Sequence, residues 1–228
     1  NDAPSNQDAT DAPAQRWCAQ QTPAPRFCDD FDDQGPFALW PDQLLEPGTA
    51  ITRDGQNARS APSSALVTVP GGAVQHARLK RVLGAATKLT YSFDLAVDKW
   101  GGYAEIAYVT VAGTSVHHAY YVRVSDANSA LGVTAEAYPP DGGVPQHNLT
   151  LTTPPAPGQW KRISLEIDLG SSPRKMTARV DGAVVGSSDL EAELYQPGEA
   201  TVSVGIGFSP SSASAWAIRF DNATAVWQ

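Results

Sequence analysis

The sequence predicts an all-β fold, a two-sheet antiparallel β-sandwich, and three observations predict it. Period-two alternation of apolar and polar residues recurs along the chain, turn-forming clusters separate the alternating runs, and no stretch holds a convincing helical period. With 19 Gly and 18 Pro in 228 residues, composition also favours many turns over long helices.

The clearest strand places Leu89, Tyr91, Phe93, Leu95 and Val97 on one face and Thr90, Ser92, Asp94, Ala96 and Asp98 on the other. That pattern buries one side and wets the other. Ile163, Leu165, Ile167 and Leu169 repeat it, as do Val202, Val204, Ile206 and Phe208, and Trp216, Ile218 and Phe220. Weaker runs cover residues 65–69, 103–111, 119–124, 132–138, 147–152 and 175–180. Asp181-Gly182 is a hairpin signal, since both residue types accept the positive φ of a type I′ turn. Residues 189–195 are the one helix candidate, a single turn on a connection. About a dozen strands of this kind need two packed layers.

Residues 1–15 (NDAPSNQDATDAPAQ) offer almost nothing to bury, so they are expected to be a disordered tether to an upstream signal sequence or lipid anchor. Residues 16–228 then form a single sandwich domain. No apolar run approaches the ~20 residues that a membrane span needs. The two cysteines, Cys18 and Cys28, lack the further ligands of a metal site and the spacing of a redox motif. A disulfide is expected, placing the protein in a secreted or extracytoplasmic setting. A net charge of −8 with scattered basic residues argues against nucleic acid as a partner.

Three segments, in order, resemble the concanavalin A-like lectin/glucanase superfamily, which includes laminin G-like domains and laminarinase-like glucanases. They are Phe27-Cys28-Asp29-Asp30-Phe31-Asp32-Asp33 followed by Trp40, Gly158-Gln159-Trp160 leading through a strand to Val180-Asp181-Gly182, and the closing Phe220-Asp221-Asn222-Ala223-Thr224-Ala225-Val226-Trp227. The resemblance implies a jelly roll spanning residues 27–228. It also implies a structural Ca²⁺ joining the first and last strands, with Asp30 and Asp221 as matching ligands. Laminarinase-like enzymes carry Glu-x-Asp-x-x-Glu. The nearest match, Glu105-Ile106-Ala107-Tyr108-Val109-Thr110, lacks two of the three acids, which argues against that glycosidase chemistry.

Alternation alone suggests a binding face. If Val122, Val124 and Tyr120 face the core, Tyr121 and Arg123 point away from it; likewise Glu136 and Tyr138 oppose Ala135 and Ala137, and Tyr103 and Glu105 oppose Ala104 and Ile106. Together with Trp100 at the rim, these form a polar-aromatic surface suited to sugar rings on the concave sheet. The alternative is that Tyr, Arg and Glu pair with one another on a solvent-facing sheet. His117-His118 is expected at a strand end in a loop; adjacent strand residues point to opposite faces, which opposes joint metal ligation. Asn148 and Asn222 lie in N-glycosylation sequons.

The expected function is a non-catalytic module that binds carbohydrate or another extracellular polymer. A polysaccharide hydrolase or lyase using Glu105 or Glu136, and a structural or protein-binding domain, stand beside it. Neither a Gly-x-Ser-x-Gly elbow nor a P-loop occurs.

Overall fold

The computed structural model describes residues 16–33, 35–125, 130–152 and 155–228; the tether expected over residues 1–15 lies outside them. Among the described residues, fifteen strands and one four-residue 3₁₀ turn, Trp17–Gln20, make up the regular structure.

In chain order the strands are β1 (Phe27–Asp29), β2 (Asp42–Leu45), β3 (Ala50–Asp54), β4 (Ser64–Val69), β5 (Gln75–Ala86), β6 (Lys88–Lys99), β7 (Tyr103–Ala112) and β8 (His117–Ser125). The remainder are β9 (Ala130–Tyr138), β10 (Gln146–Thr152), β11 (Lys161–Asp168), β12 (Arg174–Val180), β13 (Ala183–Leu190), β14 (Gly198–Ser209) and β15 (Trp216–Trp227). Sheet A runs β13-β12-β11-β6-β15-β4-β3, with β1 added against β15, and sheet B runs β10-β9-β8-β7-β14-β5-β2. Every pairing is antiparallel.

The alternating residues meet between the sheets. Tyr91, Phe93, Leu95, Ile163, Leu165, Ile218 and Phe220 from sheet A pack in one cluster with Ile106, Tyr120, Val122, Val133, Val202 and Ile206 from sheet B. Burying this apolar surface is the main force holding the layers together. The chain's two ends close on each other: Phe27 pairs with Ala225 and Asp29 with Ala223. Trp40, buried against Phe27 and Phe31, donates its indole N–H to Asp29 Oδ2 at 2.6 Å. Cys18 and Cys28 form the expected disulfide.

Asp181 and Gly182 both have positive φ, 50° and 83°, as the hairpin between β12 and β13 requires. Residues 189–195 differ from expectation: β13 runs on to Leu190, and only one turn succeeds it, closed by Tyr195 N–H on the Glu191 carbonyl at 3.0 Å. Pairing with β12 holds Asp189 and Leu190 extended, overriding their local preference. Likewise His117 and His118 open β8 and do not lie in a loop. Strands β2, β3 and β13 lack clean alternation because much of each is half-buried or exposed, and β5 alternates only over residues 75–80.

Candidate functional face

The outer faces of the two sheets differ. On sheet A the outer face is roofed near its centre by the N-terminal segment: Arg162 on β11 stacks its guanidinium on Trp17 at 5.1 Å and donates to the Asn222 carbonyl and Thr224 Oγ1. Sheet B carries no such roof among the described residues, and shallow depressions run along its outer side.

Tyr103, Glu105, Tyr121, Arg123, Glu136 and Tyr138 all lie on this outer side. The partition on β8 decides it, because Tyr120, Val122 and Val124 belong to the interlayer core and Tyr121 and Arg123 do not. Cross-strand register sets Glu105 opposite Arg123 and Tyr121 opposite Thr134.

One tyrosine on this face breaks the alternation. Unbroken period two would send Tyr108 into the core alongside Ile106. Instead Ala107 adopts a left-handed backbone (φ 51°), and the pairing with β8 shifts between Ile106 and Val109. Such a bulge inserts one residue and turns the next side chain to the other face. Tyr108 therefore joins Glu105, and its amide donates to Ser203 Oγ on β14 at 3.2 Å. Gly207 makes room for the ring, since a Cβ there would fall 2.0 Å from Tyr108 Cε2. The sequence signal was Gly205-x-Gly207 on the neighbouring strand, a pair with no phosphate role that instead marks close approach.

Two glutamates organise the phenols. Glu105 accepts the hydroxyls of Tyr103, at 2.9 Å, and of Tyr108. Glu136 accepts Tyr121 at 2.6 Å, Tyr138, and the Gln146 amide at 2.7 Å. Burial, assisted by hydrogen bonds to or charge from these carboxylates, pushes all four phenols above their ordinary range, so they stay protonated donors. Tyr121 stacks on Tyr108 at 4.9 Å and is only 4% exposed, so it supports the surface from below, whereas Tyr138, 44% exposed, presents its ring to solvent. Trp100 takes a different place from the open rim expected of it: it packs on Trp216 at 5.5 Å, against the core.

The histidine pair splits as strand geometry requires. His117 is exposed, while His118 is buried with its Nε2 2.7 Å from the Gln196 carbonyl, and burial pushes it down to about 4. Asn148 sits on β10, within 2.8 Å of Thr134 Oγ1. Asn222 is buried at another left-handed position (φ 51°), so its sequon is inaccessible in the folded chain.

The acidic residues near the closing strand bear on the calcium expectation. Asp30 accepts the Cys18 amide at 3.0 Å. Asp221, fully buried, accepts the amides of Arg59, Ser60 and Asn222. Burial pushes its carboxyl up to about 7, and the neighbouring charge of Asp32 adds to the rise. Asp32 is itself pushed up to about 6 by burial, and its Oδ2 is buried with no hydrogen-bond partner. A hard cation suits such an orphaned oxygen. The acid whose charge bears on Asp221 is thus Asp32, with Asp30 a neighbour of Asp32. No group of three or more His, Cys, Asp or Glu side chains converges among the described residues, so backbone oxygens and water would have to complete a shell.

No protein-family model matches the chain, and no curated protein matches it. Solved structures do. An endo-β-1,4-glucuronan lyase from the fungus Trichoderma reesei superposes with a TM-score of 0.71 at 15% identity, over 90% of this chain and 96% of that one. A glycoside hydrolase family 16 protein from Bacteroides ovatus, in complex with a mixed-linkage glucan product, gives 0.63 at 9% identity, over 88% and 99%. The chain has the concanavalin A-like jelly-roll fold. At these identities the likeness establishes the jelly roll and stops there. Botulinum neurotoxin type C, whose cell entry depends on two ganglioside molecules, matches at 0.52 and 12% identity, over 83% of this chain and 48% of that one.

Proposed function

We propose that this jelly roll binds a polysaccharide across the outer face of sheet B, without turning it over. The observation that carries the reading is the lattice of four tyrosines held by two glutamates on a sheet face with no covering layer among the described residues. Fixed rings with polar tips suit sugars, whose C–H faces stack on aromatics while hydroxyls take hydrogen bonds. That the similar folds above act on or bind carbohydrate supports the same reading.

Binding fits this face better than catalysis. A retaining glycosidase needs two carboxyl groups free to attack and to protonate. Here each glutamate already accepts two or three donors.

Calcium stays a proposal on the expected Asp30 and Asp221, to which we add Asp32, whose orphaned buried oxygen a divalent ion would satisfy; its role would be to tie the chain ends, and calcium would raise the melting temperature relative to chelator. The disulfide suits an oxidising compartment. An upstream lipid anchor is a proposal from the sequence of residues 1–15 alone.

Affinity electrophoresis over a polysaccharide panel tests the function. Retardation by some polymer, weakened about tenfold or more in Tyr138→Ala with folding intact, is expected. No retardation by any polymer overturns the reading. Release of reducing ends or of an unsaturated product would show turnover and overturn the non-catalytic part.

A further inference from the structure

The polysaccharide reading leaves the ligand's charge open, and two arginines address it. The chain holds 24 acidic and 16 basic residues, and seven of the lysine and arginine side chains form an ion pair with a carboxylate among the described residues. These are Arg16, Lys80, Lys88, Lys161, Arg162, Arg179 and Arg219. Arg78 and Arg123 form no ion pair among the described residues, and in each the Nε is buried with no hydrogen-bond partner.

Both lie on the outer face of sheet B. Arg123 on β8 stands opposite Glu105 on β7, the pairing that would ordinarily give a cross-strand salt bridge. Glu105 is taken instead by the hydroxyls of Tyr103 and Tyr108. On its other side Arg123 faces Gly132, which has no side chain to cover it, and the guanidinium opens into a depression lined by Tyr103, Ser125, Gly132 and Thr150. Arg78 on β5 lies over the Tyr108 ring at 5.6 Å, a contact that holds the cation without neutralising it. The phenols thus take up Glu105, the carboxylate opposite Arg123, while Arg78 has only the Tyr108 ring beside it. A guanidinium half out of water and unpaired is unfavourable in the empty protein, which an arriving anion corrects.

Resting on the polysaccharide reading, we propose that Arg78 and Arg123 each bind an anionic group of the polymer, so that the ligand is an acidic polysaccharide. Strands β14 and β7 separate them, so they serve two different groups along the chain rather than one. Carboxylate and sulfate both match the planar fork of arginine. The net charge of −8 opposes a polyanion at a distance, but at physiological salt that repulsion fades within ~8 Å, inside which the two arginines decide. A row of phosphates would need a row of cations; sparse acidic groups need only these two.

The test compares the whole chain against a polyuronate, the same polymer after reduction of its carboxyls to alcohols, and a sulfated polysaccharide. Preference for the polyuronate or for the sulfated polymer over the neutral one is expected, and the preferred arm names the anion. Arg78→Gln and Arg123→Gln should each weaken that binding about tenfold or more and lower the preference for the acidic over the neutral polymer, Arg123→Lys less, with each variant shown to be folded by a cooperative unfolding curve. Equal binding to neutral and acidic polymers, or Gln variants that bind the acidic polymer as wild type does, overturns the proposal while leaving the polysaccharide reading in place. Binding to none of the three, nor to any panel polymer, overturns that reading itself.

Discussion

Tyr108 on β7 and Tyr121 on β8 stack with ring centroids 4.9 Å apart and planes 27° apart. The contact exists because Ala107 takes a left-handed backbone and turns Tyr108 out of the core. One bulge thus assembles the aromatic centre of the face.

Ala107 is a direct handle on that bulge. Ala107→Gly removes the left-handed penalty and should change stability by less than ~1 kcal/mol, because glycine's extra unfolded-state freedom offsets the gain. Ala107→Val places a β-branched residue at a buried positive φ and should destabilise by roughly 2 kcal/mol. Urea midpoints measure both; equal midpoints for the Gly and Val variants would contradict the bulge.

Gly207→Ala tests the seat of Tyr108. Its backbone φ is not in the left-handed region, so the substitution strains no dihedral, but its Cβ would meet the Tyr108 ring. The ring must shift, and affinity for the bound polysaccharide should fall about tenfold, roughly 1.4 kcal/mol. Isothermal titration of this variant with unchanged affinity would separate Tyr108 from binding.

Arg219, on β15, is a structural counterpart to the free arginines. Its Nε donates to Asp98 at 2.6 Å and its Nη2 to Asp54 at 2.9 Å, with the guanidinium almost wholly buried. Arg219→Ala leaves two acids without their cation and should cost about 3 kcal/mol, the low end for a buried pair because Asp98 is partly wetted. Chemical denaturation of wild type and variant gives the difference.

His118 supplies a pH dependence. Burial pushes its folded value down to about 4 from an ordinary 6.5, so the unfolded chain binds more protons between those limits. The contribution is fully present above pH ~6.5 and lost as pH falls toward 4, on the order of 3 kcal/mol across the window. Asp32 and Asp221, raised by burial, act in the opposite sense, so the signal is the difference between wild type and His118→Gln. That difference in unfolding free energy should shrink as pH falls from 6.5 to 4. A constant difference would place His118 outside the titration.

Legibility in the sequence tracks burial. Ile163 to Ile167 alternates in burial because one side of β11 meets the opposite sheet, whereas in β6 the expected wet side is buried too at Ser92, Asp94 and Ala96, so Leu89 to Val97 was readable from residue type rather than from a wetted face. Strand β2 shows only exposed and half-buried residues, so no alternation marks it. On the functional face, the outward positions of Tyr103, Glu105, Tyr121, Arg123, Glu136 and Tyr138 came from parity alone. Those of Tyr108 and Arg78 did not. A bulge reverses parity without any composition signal beyond a nearby glycine, and Arg78 lies in the alternating first half of β5, a strand the sequence reading did not mark because its second half, from Arg81 to Ala85, is half-buried or exposed on both faces. Trp100 was misplaced because its partner Trp216 is distant in sequence and close only in the fold.

The placement of the ligand is the claim on which the rest stands, and amide chemical-shift mapping during titration with a bound oligosaccharide reads it residue by residue. Shifts should concentrate on β7, β8 and β9, at Tyr103, Tyr108, Arg123 and Tyr138, and leave β11 and β12 unmoved. Shifts confined to sheet A, with those four residues silent, would contradict the account.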